Sequence, residues 1–126
     1  MTSPDKKTIL IVEDDGTLAR ILQMKLAIEY DVIVAADGES AIETLKTKAP
    51  SLILLDIMLP RKSGLDVLEW IKSQPALKGT PIIVTSNLGS ESDIKTALEL
   101  GAKEYIVKMD ASLSQIIDKV RSYLAG

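Results

Sequence analysis

The sequence predicts a doubly wound α/β domain: a parallel five-stranded sheet of order 2-1-3-4-5 with helices on both faces. Three observations carry that expectation. Five short apolar, β-branched runs recur at residues 8–12, 31–35, 52–55, 81–85 and 104–107. They are nearly continuous rather than alternating, which is how strands buried on both faces of a parallel sheet read. Between and after them lie segments with helical periodicity, and strict β–α alternation favours right-handed crossovers.

Each element has its own signature. Strand one is Ile9-Leu10-Ile11-Val12, and Leu18, Ile21, Leu22 and Leu26 form the stripe of helix one. Asp37-Gly38 separates strand two from helix two, whose stripe is Ala41, Ile42 and Leu45. Pro50 is expected to end that helix, because proline disfavours a helical conformation in the residue before it. Val67, Leu68 and Ile71 make the third stripe, with Trp70 a packing residue beside it, and Ile94, Ala97 and Leu98 make the fourth. Gly101 stands where a helix needs a left-handed residue after its end. Ser112 is a plausible N-cap for the last stripe, Leu113, Ile116, Ile117, Val120 and Leu124. These stripes are core faces and imply no chemistry.

Composition bounds the function. A chain of 126 residues, 46% hydrophobic and 26% charged, suits one globular domain. The expected organisation is a single domain over 1–126, with its core at about 7–124 and no output domain. No apolar run approaches the roughly 20 residues needed to span a bilayer, and residues 1–7 lack a signal-peptide pattern. A cytoplasmic address is the default expectation. With no cysteine and no histidine, thiol chemistry, zinc-thiolate sites and the usual general base are excluded. A net charge of −3 and 3% aromatic residues argue against nucleic-acid binding.

In such sheets ligands bind beyond the carboxyl ends of the strands, at the switch point beside strand one. There the chain places Glu13-Asp14-Asp15 after strand one, Asp56 after strand three, Thr85-Ser86 after strand four and Lys108 after strand five. An acidic run is usually just a solvated loop. Here it ends a buried strand whose expected neighbour ends in Asp56. Convergent carboxylates without histidine or cysteine suit a hard cation, Mg²⁺ above all, with Mn²⁺ an acceptable substitute. A carboxylate can itself be a nucleophile, giving an acyl phosphate, and a hydroxyl (Thr85) and an ammonium (Lys108) would serve the phosphoryl oxygens. Asp15 reads as the start of helix one, where its charge favours the dipole.

These residues resemble the receiver domains of two-component response regulators, over about Lys7 to Leu124. The run from Ile9 to Asp15 is similar to the family's first strand and acidic pair. Leu54-Leu55-Asp56-Ile57-Met58-Leu59-Pro60, followed by Gly64, is similar to the phosphoacceptor strand and its loop. Pro81-Ile82-Ile83-Val84-Thr85-Ser86 resembles the strand with the hydroxyl, and the segment from Gly101 to Lys108 resembles the one with the switch aromatic and the lysine. The resemblance implies a flavodoxin-like (βα)5 fold and a phosphorylation-dependent switch rather than an enzyme, one that catalyses only its own phosphorylation and dephosphorylation. It implies that Asp56 accepts a phosphoryl group from a histidine kinase, a histidine phosphotransfer protein or a small phosphodonor. Asp14 and Asp56 would ligate Mg²⁺ directly, the Met58 backbone carbonyl would be a further ligand, and Glu13 would act through water. Thr85 would bond the phosphoryl group and move inward, Tyr105 would follow as a switch, and Lys108 would pair with Asp56 or its phosphate. Ser86 meets a steric demand for a small residue, while Asn87 and Met58 stand where the family tunes hydrolysis. A downstream protein would dock on the face formed by the fourth helix, fifth strand and fifth helix.

One residue departs from the pattern. Met109 follows Lys108 where the family usually has a proline after a cis bond. A cis bond to a non-proline residue costs about 2.5–4 kcal/mol, so this bond is either trans or strained. The alternative function is a phosphorylation-independent adaptor that keeps the fold. A flavin-binding role is rejected, since Glu13-Asp14-Asp15-Gly16-Thr17 is acidic where a phosphate loop would need hydroxyls and glycines.

Overall fold

The computed structural model describes residues 6–87 and 89–125. Residues 1–5, read above as free of a signal peptide, and Gly126, the expected domain end, lie outside the described residues. Strands and helices alternate strictly: β1 (Thr8–Val12), α1 (Gly16–Leu26), β2 (Asp31–Ala35), α2 (Gly38–Leu45), β3 (Leu52–Asp56), α3 (Gly64–Lys72), β4 (Ile82–Ser86), α4 (Glu91–Glu99), β5 (Glu104–Val107) and α5 (Leu113–Leu124). The sheet has the order β2-β1-β3-β4-β5, with every pairing parallel, as expected.

The continuous apolar strands have the predicted cause. In β1, Leu10 and Val12 join one buried cluster with α2 and α3 residues such as Ala41, Val67 and Leu68. Ile9 and Ile11 join the opposite cluster with Leu22 and Leu26 of α1 and Ile116, Ile117 and Val120 of α5. Successive side chains leave a strand on opposite faces, so covering both faces demands apolar residues at both.

The boundaries differ from expectation in instructive places. β3 runs on to Asp56, because the ladder continues through the Ile57 N–H, which donates to the Thr85 carbonyl at 3.0 Å. β4 begins at Ile82 rather than Pro81, which has no N–H and contributes only its carbonyl, to the Ile53 amide at 3.0 Å. α2 stops at Leu45, well before Pro50. Residues 46–49 are all exposed and bury no side chain, so the helix ends where its burial ends. Within the stripes, Ile21 (37% exposed) and Leu98 (46%) face solvent, and Ala19 and Ala97 take the core positions. A short side chain there lets each helix lie close to the sheet.

The caps follow the sequence more closely. Asp15 caps α1, accepting from the Thr17 and Leu18 amides at 3.0 and 3.1 Å. Ser112 and Gln115 form a reciprocal capping box on α5. Gly101 has φ 106, and the Gly101 and Ala102 amides close back onto the Leu98 and Ala97 carbonyls. Among the described residues no peptide bond is cis, so Lys108–Met109 is trans. The chain there forms a 3₁₀ turn over Lys108–Asp110, with Met109 80% exposed. Trp70 packs against the core from a half-buried position, as expected. No helix among the described residues is long and apolar enough to cross a membrane.

Candidate functional site

The switch in strand order lies between β1 and β3, and the acidic residues gather at its carboxyl end. Val12 is in register with Leu55, so the residues that follow them, Glu13 and Asp56, leave adjacent strands side by side. Carboxylate oxygens of Glu13, Asp14 and Asp56 lie within 4.8 Å of one another. Glu13 and Asp56 are buried and Asp14 is exposed, so the cluster has a polar floor and one exposed carboxylate at its mouth. It opens into a cleft of about 430 Å³, whose lining includes Asp14, Asp56, Met58, Asn87 and Lys108.

Lys108 reaches this cluster despite its trans bond to Met109. Its ammonium donates to Glu13 Oε1 at 2.5 Å and to Asp56 Oδ2 at 3.1 Å. Asp56 Oδ1 accepts from the Met58 amide at 2.9 Å, so both oxygens of Asp56 are held. Glu13 is equally committed, since its Oε2 accepts from the Asp15 amide at 3.2 Å. Burial pushes the Glu13 carboxyl up to about 7; the Lys108 hydrogen bond opposes this, and neighbouring Asp56 adds to it. Burial pulls the Lys108 ammonium down, but Glu13 and Asp56 more than offset it and hold it above its usual value.

Charge fits a divalent cation. Three carboxylates converge on one ammonium in a partly buried pocket, an excess of acidic groups whose candidate ligand atoms are all oxygens. That donor set suits a hard dication, which would also lower the proton affinity of Glu13.

The expected residues are not all brought together. Asp14, Asp56, Glu13, Met58 and Lys108 line the cleft. Thr85 is buried on β4, paired in register with Asp56, and is absent from the cleft lining; it lines a second, much smaller space together with Glu13, Lys108 and Leu18. Tyr105, in register with Val84, packs half-buried against the core on the α2–α3 side. Ser86 is almost wholly buried, in keeping with its steric reading. Two features went unseen in the sequence. One is the direct pairing of Glu13 with Lys108, and the other is Leu18, the first-turn residue of α1 that lines both the cleft and the smaller space. The helical stripe pointed to Leu18, but only as core.

Known proteins share this fold. Residues 9–121 match the family model described as the response regulator receiver domain. The chain belongs to that family. It is 40% identical over 120 residues to a Porphyridium aerugineum protein named "Probable transcriptional regulator ycf27", covering 94% of this chain and 48% of that one. The chain thus spans about half the length of the curated relatives it matches. Among solved structures, the phosphorylated cyanobacterial phytochrome response regulator RcpA is 36% identical with a TM-score of 0.86, covering 95% of each chain. The Mn²⁺-bound form of response regulator Rcp1 is 32% identical with a TM-score of 0.78, covering 92% of this chain and 90% of that one.

Proposed function

We propose that this receiver domain is a phosphorylation-dependent signalling switch in which Asp56 is the phosphoacceptor, with Mg²⁺ as the cation. The observation that carries this is the seating of Asp56 between the Met58 amide and the Lys108 ammonium, beside Glu13 and Asp14. The likeness to a phosphorylated and to a Mn²⁺-bound response regulator supports the same reading.

The chemistry follows from those contacts. A carboxylate oxygen of Asp56 attacks the phosphorus of a phosphohistidine or a small acyl phosphate, forming an O–P bond as the bond to the leaving group breaks. The Met58 amide and Lys108 orient the carboxylate, so the attack starts from a held geometry. When bound, Mg²⁺ neutralises charge on the phosphoryl oxygens and so allows an anion into an acidic site. Asp14, Asp56 and the Met58 carbonyl would hold it, and Glu13 would act through water while fixing Lys108. Once the phosphoryl group is in place, Lys108 serves one of its oxygens. Thr85, adjacent on β4, serves another by moving toward it, and Tyr105 follows into the vacated space. The phosphoryl group is then lost to water, so the domain turns over only its own modification.

Residues 7–124 form the receiver unit in this reading. The phosphodonor is a histidine kinase or a histidine phosphotransfer protein. Output passes to a protein target through the face of α4, β5 and α5, by an amount set by the target's differential affinity for the two states.

Incubation with acetyl phosphate and Mg²⁺, followed by intact mass, tests the proposal. The expected result is a Mg²⁺-dependent phosphoryl adduct on the wild type and none on Asp56→Asn. If folded wild-type protein forms no adduct and binds no beryllofluoride, the site is inert and the adaptor reading replaces this one.

A further inference from the structure

We propose that Gly38, in the first turn of α2, is a positioning residue for the loop that carries Met58. Its missing side chain lets that loop seat against α2, and the seating aims the Met58 carbonyl at the cation. The inference rests on the metal-dependent phosphorylation proposed above.

The loop 57–63 joins β3 to α3 and is pinned at its far end by two contacts that leave no room for a Cβ. At Gly64 a Cβ would lie 2.5 Å from the Asp56 carbonyl oxygen and from Ile57 Cα. At Gly38 it would lie 2.1 Å from the Lys62 carbonyl oxygen and 2.7 Å from Lys62 Cβ. In both places backbone would have to move, so an alanine could not be absorbed by turning a flexible side chain.

Between these contacts the chain reverses in a strained turn. Arg61 has φ 68, the left-handed region a non-glycine residue avoids, and the Lys62 amide donates to the Pro60 carbonyl at 2.7 Å. Such a conformation persists only where its surroundings over-determine it. One constraint is the Arg61 Nη1 to Asp37 Oδ2 ion pair at 3.8 Å, but Arg61 is 68% exposed and a solvated pair holds little. The stronger constraint is the Lys62 backbone resting on Gly38, where its carbonyl also meets the positive end of α2.

The near end of the same loop touches the chemistry. Met58 donates its amide to Asp56 Oδ1. A methyl group at position 38 would lift Lys62, and with Gly64 fixed the displacement can only travel back toward Met58. Mg²⁺ demands near-ideal octahedral geometry, so a displaced carbonyl ligand is lost rather than tolerated.

The test compares Gly38→Ala with Gly16→Ala, whose added Cβ meets nothing within 4 Å. Alanine is the better helix former at both positions, so a loss at 38 cannot be blamed on propensity. Calorimetry gives Mg²⁺ affinity, and acetyl phosphate labelling is followed as Mg²⁺ is raised. Gly38→Ala is expected to weaken Mg²⁺ binding about tenfold or more, as loss of an outer support for a metal site does. The Mg²⁺ needed for half-maximal labelling should rise in step, while the rate at saturating Mg²⁺ stays within about twofold of wild type. Gly16→Ala should change neither. A folded Gly38→Ala with wild-type Mg²⁺ affinity overturns the proposal, and so does a lower saturating rate at unchanged affinity. If Gly38→Ala does not fold by circular dichroism, Arg61→Val, whose β-branched side chain disfavours φ 68 and so drives Lys62 off Gly38, should weaken Mg²⁺ binding in the same direction; wild-type affinity there is equally fatal. A wild type that neither binds Mg²⁺ nor is labelled removes the underlying reading as well, so the two failures are told apart.

Discussion

Lys108 spans three scales of the molecule but is best understood as a residue: one ammonium shared by two buried carboxylates. It arrives from the end of β5, 95 residues from Glu13 and 52 from Asp56 in sequence. Without a cation it is the positive charge that makes the acidic cluster tolerable, and it competes with any metal for the same oxygens. Replacing it with alanine therefore has two opposed consequences. Mg²⁺ affinity should rise, read by calorimetry, because a competing positive charge is gone. Labelling by acetyl phosphate should slow by about a hundredfold, because under the proposed function a preorganised donor to the phosphoryl oxygens is gone. An alanine variant that loses both affinity and rate would mean that Lys108 acts by holding Glu13 and Asp56 in place. Met109 bears on the residue scale too. A trans bond and a 3₁₀ turn deliver the lysine to the site without the proline the resemblance leads one to expect.

At the scale of elements, helix starts do much of the positioning, and each N-cap among α1 to α5 is an Asp or Ser chosen for its oxygen. Asp37 caps α2 and faces Arg61 across the β3–α3 loop. The Ser40 backbone amide, more than the Arg61 charge, holds its carboxyl below the ordinary value of 3.8. The charged form is thus preferred in the folded state, and the stability it confers is present above 3.8 and lost as pH falls through the lower folded value. Asp37→Asn keeps an acceptor for the cap but removes the charge. The melting-temperature difference between wild type and this variant should be constant from neutral pH down to about 5 and should shrink below 3.8. A difference that does not change with acidification would show that the charge contributes nothing to the cap.

For the whole molecule, the sheet is a partition between two apolar clusters, with α2, α3 and α4 covering one face and α1 and α5 the other. Leu10, on the central strands' α2–α3 side, is fully buried. Leu10→Ala should cost about 2–5 kcal/mol in urea denaturation, a large part of the roughly 5–15 kcal/mol typical of a domain. Ile28→Ala, at a residue 78% exposed, should change stability by no more than about 0.5 kcal/mol. Equal costs at the two positions would contradict the burial. The sequence by itself determined the alternation of strands and helices, their parallel order and the strand-end addresses of Asp14, Asp56, Thr85 and Lys108, because two-sided burial and helical periodicity are written locally in every segment. Helix faces were legible only approximately. Periodicity names a stripe, but whether Ile21 or Ala19 lies against the sheet depends on how closely the helix can approach it. Only the tertiary structure decided that Glu13 and Lys108 pair, that Thr85 is buried in a small space beside them, and that the Lys62 carbonyl rests where a side chain on Gly38 would be. Those contacts join residues far apart in the chain, and their distances are set by the twist and spacing of the packed elements, which no local pattern encodes.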